Sequence, residues 1–265
     1  IAFIVVKAFR MTQQTVALPD DPALTQVLSA LSAEGAQALI VGGAVRNALL
    51  GEPISDIDIA TSARPQDTVR LARAAGLRTV PTGIEHGTVT IIAGGRGYEA
   101  TSFRRDVETD GRHAVVAYSD SIEEDARRRD FTMNALYATL DGQVLDPVGG
   151  LSDLAQRKLR FVGDPRARIT EDYLRILRFF RFLAWYGREA DMQALAACHE
   201  LRAGLANISR ERIGHEIRKL LAAPDPSQAV AFMAEAGVLP LVLPGADATD
   251  LSELIEAERD FGTGA

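Results

Sequence analysis

Between Ala36 and Ala60 the chain changes its periodicity twice, and no other stretch restricts the fold as much. "AQALIVGG" is an apolar run that stops at a glycine pair, as a buried strand does; "AVRNALLG" then reads as a short helix closed by Gly51, and "DIDIA" as a second strand. Asp56 and Asp58 stand two apart on that strand. They therefore project to one face while Ile57 and Ile59 turn to the core. Two negative charges on a strand that is otherwise apolar need either water or a cation.

The remaining pattern extends this unit. "RPQDTVRLARAAG" predicts a helix that opens with Pro65 and ends at Gly76, and "HGTVTIIAGGRGYEATSF" predicts two alternating strands joined by a glycine-rich turn at 94–97. Past Thr109 a polar stretch, "DGRHAVVAYSDSIEED", has no clear period and is expected to be a mobile loop. From Ala126 the chain reads mostly helical, through "RRRDFTMNALYA", a turn at "DGQVLDPVGG", "TEDYLRILRFFRFLAWYG", "RERIGHEIRKLLA" and "SQAVAFMAEAG". The expected class is α+β, with a small mixed or antiparallel sheet and its helices followed by an all-helical remainder. Residues 1–20 are expected to be a disordered or non-native extension with Met11 as the natural start, 21–150 a head, 151–223 a helical neck and 224–265 part of a helical body.

Composition narrows the classes. A chain of 265 residues that is 47% hydrophobic can bury a real core. Cys198 is the single cysteine, which excludes an internal disulfide and a cysteine-based zinc site and points to a reducing compartment, the cytoplasm by default. No apolar run approaches the roughly 20 residues of a membrane helix, and the opening "IAFIVVKAFR" is a poor signal peptide. The net charge of −7 argues against a protein that coats nucleic acid indiscriminately. Charge is uneven, however: residues 157–188 hold nine basic and three acidic side chains, whereas 224–265 hold eight acidic and one basic. A polyanion is expected to meet the middle of the chain.

Paired carboxylates at the spacing of Asp56 and Asp58 suit two Mg²⁺ ions about 4 Å apart, the arrangement that activates an attacking oxygen and steadies a leaving phosphate. A solvated strand end explains the pair equally simply. Gly42 and Gly43 lie where a strand meets a helix, so backbone N–H groups and the helix end can face a triphosphate, with Arg46 one turn further in. The spacing fits neither a Walker loop nor a dinucleotide fingerprint. Glu99 in "YEATSF" is either a third carboxylate beside the pair or a surface strand residue.

Four stretches in order, "LIVGGAVRNALLGEPISDIDIAT", "TGIEHGTVT", "RRRDFTMNALY" and "EDYLRILRFFRF", resemble the class II nucleotidyltransferases that include the tRNA CCA-adding enzymes and bacterial poly(A) polymerases. The resemblance covers about residues 37–220. It implies a polymerase-β-like head with Asp56 and Asp58 on two Mg²⁺, Gly43 and Arg46 on the triphosphate, Arg129 touching the nucleotide, and Asp130 and Asn134 nearby for sugar and local structure. The incoming base would be read by Glu171, Asp172 and Arg175, backed by Arg178 and Arg181. Asp172 and Arg175, at i and i+3, would share a helix face and offer acceptors and donors to a base edge, or form an ordinary intrahelical ion pair. Arg175, Arg178 and Arg181 make either a solvated stripe or a triphosphate cradle. Arg210, Arg212 and Lys219 are candidates for structural or RNA-backbone contacts, and His86 is read as structural.

The implied activity is addition of CMP and AMP, from CTP and ATP, to the 3′ end of tRNA. Poly(A) synthesis, A addition alone and a non-catalytic RNA- or nucleotide-binding module are the alternatives; "DVETDGRHAVVAYSDSIEED" supplies the flexible loop that CC-only members lack. The chain departs from the family twice. Asn47 stands where aspartate is usual, and the chain ends at "DFGTGA" where members generally continue into further helices that hold tRNA. The first puts activity in doubt, and the second implies a truncated form or a low or shared tRNA affinity.

Overall fold

The computed structural model describes residues 11–80, 83–105, 117–249 and 251–261, and it divides into two compact units, Ile1–Leu151 and Ser152–Ala265. The first unit carries β1 (Met11–Thr15), α1 (Pro22–Leu31), β2 (Ala38–Val41), α2 (Gly43–Leu50), β3 (Asp58–Thr61), α3 (Pro65–Ala74) and β4 (Arg78–Val80). There follow β5 (Thr88–Ala93), β6 (Arg96–Ser102), β7 (Arg104–Arg105), β8 (Ala117–Tyr118), α4 (Ile122–Arg127), β9 (Tyr137–Ala138) and β10 (Gln143–Leu145). Among the described residues eight strands form one mixed sheet in the order β1-β10-β9-β2-β3-β6-β5-β4, and β7 pairs with β8 apart from it. β3 is central, antiparallel to β2 and parallel to β6.

Helices α1 and α3 pack on one another and on β5. The core is built where periodicity predicts it: Val27 and Leu31 of α1 and Ile40, Ile59, Val89 and Ile91 of the sheet are buried. Asp21 caps α1 by accepting the Ala23 and Leu24 N–H groups, and its second oxygen takes the Tyr98 hydroxyl at 2.7 Å, tying the helix start to β6.

Three expectations need correction here. Residues 11–20 are not an extension outside the fold: Met11–Thr15 pairs with β10, and Val16 is buried with its N–H donated to the Gly142 carbonyl at 2.8 Å. Without β1, β10 would stand at the edge of the sheet with unpaired backbone groups, and pairing with β1 satisfies them. Residues 1–10 lie outside the described residues. "RRRDFTMNALYA" is not a helix either. Asp130 accepts the Phe131 N–H at 2.8 Å and the Asn134 side-chain amide at 3.1 Å, a local alternative that ends helical bonding; one 3₁₀ turn and β9 follow. The expected turn at 141–150 likewise contains β10.

α5 (Gly150–Ala155) straddles the division. The second unit continues with β11 (Lys158–Leu159), α6 (Pro165–Glu171), α7 (Leu174–Tyr186), β12 (Glu189–Ala190), α8 (Met192–Leu201), α9 (Arg210–Leu221), α10 (Ser227–Glu235), α11 (Leu239–Val242) and α12 (Leu251–Phe261). α7 packs against α9 and α10, and α6 against α8. Ile176, Leu177, Phe179, Phe180 and Leu183 bury one face of α7, and Phe161 stacks on Phe179 with ring centres 5.6 Å apart. No helix among the described residues is long and apolar enough to cross a membrane.

Candidate active site

Asp58 opens β3, and in the parallel pairing with β6 it stands directly beside Glu99. Both are exposed, while Ile57, Ile59, Tyr98 and Ala100 on the alternate positions are buried, so strand alternation alone puts the two carboxylates on one open face. Asp56 lies outside the strand, in the connection 51–57, where it accepts the Ser55 hydroxyl at 3.2 Å. The Asp58 carboxyl titrates above the ordinary carboxylate value. Desolvation by surrounding protein is the main cause, the charges of Glu99 and Asp56 add to it, and nearby Arg129 opposes it. Asp58 is thus open to solvent on one side, with two negative charges and the positive charge of Arg129 close to it. Among the described residues no three His, Cys, Asp or Glu side chains stand as a finished metal cage. A pair of oxygen donors with repelling charges fits Mg²⁺, which commonly takes one or two carboxylates and fills its other positions with water and phosphate oxygens.

The glycine turn lies between β2 and α2. Gly42 has φ 72° and ψ −122°, a conformation reserved in practice for glycine; its N–H donates to the Leu136 carbonyl at 3.0 Å, and its carbonyl accepts the Arg46 N–H at 3.0 Å. A Cβ there would lie 3.6 Å from the Asn134 carbonyl and 3.7 Å from Arg129 Nη1, so the turn abuts Arg129. Arg46 is buried close to the same turn, with Nη2 3.6 Å from where a Gly43 Cβ would stand. Its Nη1 donates to Asn134 Oδ1 at 2.5 Å, and Nε and Nη2 donate to Asn47 Oδ1 at 3.1 and 2.9 Å. Asn134 is held in turn by Asp130. Arg46 therefore places fixed positive charge near the turn.

Arg129 is fixed by two residues that the sequence reading did not single out, Asp125 and Tyr137. Asp125 is 1% exposed and accepts from both neighbouring arginines: Arg128 Nε at 2.9 Å on Oδ1, and Arg129 Nη2 at 3.0 Å on Oδ2. Tyr137 donates its hydroxyl to Asp125 Oδ2 at 2.7 Å, accepts Arg129 Nε at 3.0 Å, and lies under the Arg129 guanidinium at 5.2 Å. Burial pushes the Asp125 carboxyl up, but Arg129 and Arg128 outweigh it and hold the group below the usual range. For Arg129, burial works against the charge and its partners Tyr137 and Asp125 more than restore it. The i, i+3 and i, i+4 spacing of Asp125 to Arg128 and Arg129 was the available signal.

In the second unit the expected continuous helix is broken at Asp172, which is extended (φ −153°, ψ 105°) between α6 and α7. Asp172 and Arg175 therefore do not share a helix face. The Asp172 carboxylate accepts the Leu174 N–H at 3.1 Å, a local turn two residues long just ahead of α7, and takes Arg212 Nη2 at 2.8 Å. Arg175 pairs with Glu171 and donates to the Arg168 carbonyl at 2.7 Å. The break is packed tightly, since a Cβ on Gly204 would fall 2.0 Å from the Tyr173 ring. Arg178 and Arg181 both lie over the Phe182 ring, at 5.5 and 4.6 Å, and Arg181 also meets the buried Glu216 of α9 at 3.2 Å. The three arginines are thus not one uniform stripe. Arg210 and Lys219 are exposed, and the Lys219 carbonyl accepts Trp185 Nε1 at 2.7 Å. The His86 side chain and residues 106–116 of the expected mobile loop lie outside the described residues; the rest of that stretch is not a mobile loop, since it holds β8, paired with β7, and the start of α4, capped by Ser121.

The family profile described as "Poly A polymerase head domain" matches residues 38–160, and that described as "Probable RNA and SrmB- binding site of polymerase A" matches 191–249. The CCA-adding enzyme of Streptococcus gordonii is 43% identical over 239 residues, 89% of this chain and 59% of that protein. The mitochondrial CCA tRNA nucleotidyltransferase 1 of Danio rerio is 42% identical over 206 residues, 75% of this chain and 47% of that protein. Among solved structures, the Bacillus stearothermophilus CCA-adding enzyme in complex with CTP superposes with a TM-score of 0.75 at 38% identity, covering 85% of this chain and 55% of that one. A tRNA nucleotidyltransferase complexed with a primer tRNA and an incoming ATP analogue superposes with a TM-score of 0.70 at 27% identity, covering 88% and 67%. The chain spans about half to three-fifths of the length of the curated relatives described.

Proposed function

Because this chain belongs to the nucleotidyltransferase family of the CCA-adding enzymes and bacterial poly(A) polymerases, and has their polymerase-β-like fold, we propose that it transfers CMP and AMP from CTP and ATP to the 3′ end of tRNA. The supporting observation is the registered pair Asp58 and Glu99 with Asp56 beside it, open to solvent and facing the charge of Arg129. Asp56 and Asp58 would hold Mg²⁺, which when bound offsets negative charge on the attacking and leaving oxygens. Glu99 sets the charge of the pair. Gly42 and Gly43 admit the triphosphate close to backbone, and Arg46 and Arg129 balance its charge from fixed positions. The terminal RNA hydroxyl attacks the α-phosphorus and gives up its proton to solvent, the new P–O bond forms, and the α–β anhydride bond breaks to release pyrophosphate. Little proton chemistry is asked of a side chain.

In the second unit, Asp172 and Arg175 read the base edge from the break between α6 and α7, with Arg212 and Glu171 holding them. Cytosine and adenine both present an exocyclic amine and a ring-nitrogen acceptor, so an acidic acceptor and a guanidinium donor serve both bases. Arg178, Arg181, Arg210 and Lys219 add positive charge for nucleotide and RNA. A cytoplasmic setting goes with this reading, as the free, buried Cys198 suits a reducing compartment.

The test is extension of a tRNA acceptor minihelix lacking CCA, at high concentration, with Mg²⁺ and CTP and ATP separately and together, resolved at single-nucleotide length. Growth by CCA and no further is the expected result. A long A ladder would replace the proposal with poly(A) synthesis, and no extension, with nucleotide binding retained, with a non-catalytic module.

A further inference from the structure

Asn47 touches both the buried arginine near the glycine turn and the segment that carries Asp56. Its Oδ1 accepts from Arg46 Nε and Nη2 at 3.1 and 2.9 Å, its Nδ2 donates to the Pro53 carbonyl at 2.7 Å, and its own carbonyl accepts the Glu52 N–H at 2.9 Å. Chemistry fixes the orientation of the amide. A guanidinium only donates and a proline carbonyl only accepts, so oxygen faces Arg46 and nitrogen faces Pro53. Pro53 stands three residues before Asp56 in the connection 51–57, which has no regular structure before β3 and whose course therefore depends on such contacts. In the same connection the Ser55 hydroxyl donates to the Asp56 carboxylate at 3.2 Å.

We propose that Asn47 is a positioning residue: its side-chain amide fixes the Asp56 segment against α2 while it orients Arg46, and the N–H donor to Pro53 is the part that places Asp56. The inference rests on the reading of Asp56 and Asp58 as the cation-holding pair. An aspartate at 47 keeps an acceptor for Arg46 but has no donor, and it sets a carboxylate oxygen against the Pro53 carbonyl. An alanine loses both contacts.

The experiment compares the full chain with Asn47→Asp and Asn47→Ala, using Mn²⁺ alone as the probe. Mn²⁺ binding to the nucleotide-free protein is followed by calorimetry, beside the Mg²⁺ dependence of minihelix extension and the melting curve of each protein. Both variants are expected to bind Mn²⁺ more weakly, by at most about 10-fold, the lower end for loss of a direct outer-sphere partner, because Asn47 acts on Asp56 only through the 51–57 connection, and to need correspondingly more Mg²⁺. At saturating Mg²⁺, the nucleotide KM of Asn47→Asp stays near that of the unaltered protein, because Arg46 keeps its acceptor. Asn47→Asp with unaltered Mn²⁺ affinity and Mg²⁺ requirement overturns the inference. An Asn47→Ala protein that fails to fold leaves the isosteric Asn47→Asp to decide. Unaltered protein that binds Mn²⁺ but incorporates no nucleotide refutes the transferase reading, and the Mn²⁺ comparison still decides the role of Asn47. Unaltered protein that binds no Mn²⁺ refutes both.

Discussion

Replacing Asp125 by asparagine tests how Arg129 is held. The substitution preserves shape and the Oδ1 acceptor used by Arg128, but an amide nitrogen replaces the oxygen that now takes Tyr137 at 2.7 Å and Arg129 at 3.0 Å. A donor then faces Arg129 Nη2, the Tyr137 hydroxyl must turn to accept instead of donate, and two partly exposed guanidinium groups lose the buried charge that compensates them. Breaking a buried pair by removing one partner costs about 3–5 kcal/mol. For a unit of this size that corresponds to a fall in melting temperature of about 6–20 °C. Circular dichroism melts at neutral pH provide the measurement. Tyr137→Phe keeps the carboxylate and removes one hydroxyl, so it is expected to cost less, about 1–3 kcal/mol. The difference in stability between the unaltered protein and the Asp125→Asn variant also depends on pH. The Asp125 carboxyl is held below its ordinary value, so its contribution is fully present above the unfolded-state pKa of about 4 and is lost as pH falls through the folded value. A variant melting within about 1 °C of the unaltered protein at neutral pH, or a difference that grows in acid, would refute the reasoning.

Three further outcomes follow from the geometry. Asp58→Asn is expected to raise the melting temperature in metal-free buffer while abolishing extension, because it removes a charge that Glu99 and Asp56 repel; since the Asp58 pKa is raised, the gain is present at neutral pH and disappears below the ordinary carboxylate range, which melts across pH will check. Gly42→Ala has room for its methyl group, so its cost is the strained backbone alone, about 1–3 kcal/mol by urea unfolding, accompanied by weaker triphosphate binding as the turn relaxes away from Arg129. Arg212→Ala releases the Asp172 carboxylate and is expected to leave the melt nearly unchanged, since the pair is half exposed, while increasing misincorporation of UMP and GMP in single-nucleotide extension; unchanged base selectivity would remove Asp172 and Arg212 from base reading.

The strand, turn, helix and strand from Ala38 to Thr61 were legible because each signal is local: an apolar run, a glycine that alone tolerates its backbone angles, and a period of two that sends Asp58 outward and Ile59 inward. The break at Asp172 was not, because the apolar rhythm of α7 reads backwards through "EDYLR" without a proline or glycine, and what marks it is a side-chain turn from Asp172 to the Leu174 N–H together with the Arg212 contact. Asp125 escaped notice for a different reason. Its partners include Tyr137 and the Arg104 N–H, which only the folded chain brings to it. Asn47 was seen as a departure that weakened the site, and its donor to Pro53 was invisible without the course of the 51–57 connection.

The parallel register of β3 and β6 has a consequence for how such a chain can change over time. Asp58 faces Glu99, Ile59 faces Ala100 and Ala60 faces Thr101, so inserting or deleting one residue in either strand would turn the carboxylates into the core and bring isoleucine out to water. Substitution of an apolar residue in these strands can drift among similar volumes, but a shift in length cannot be absorbed there. The alignment of the two acids is therefore guarded by the hydrophobic residues between them, and single-residue insertions scanned through 58–61 and 96–102 should eliminate activity even where the inserted residue is chemically innocuous.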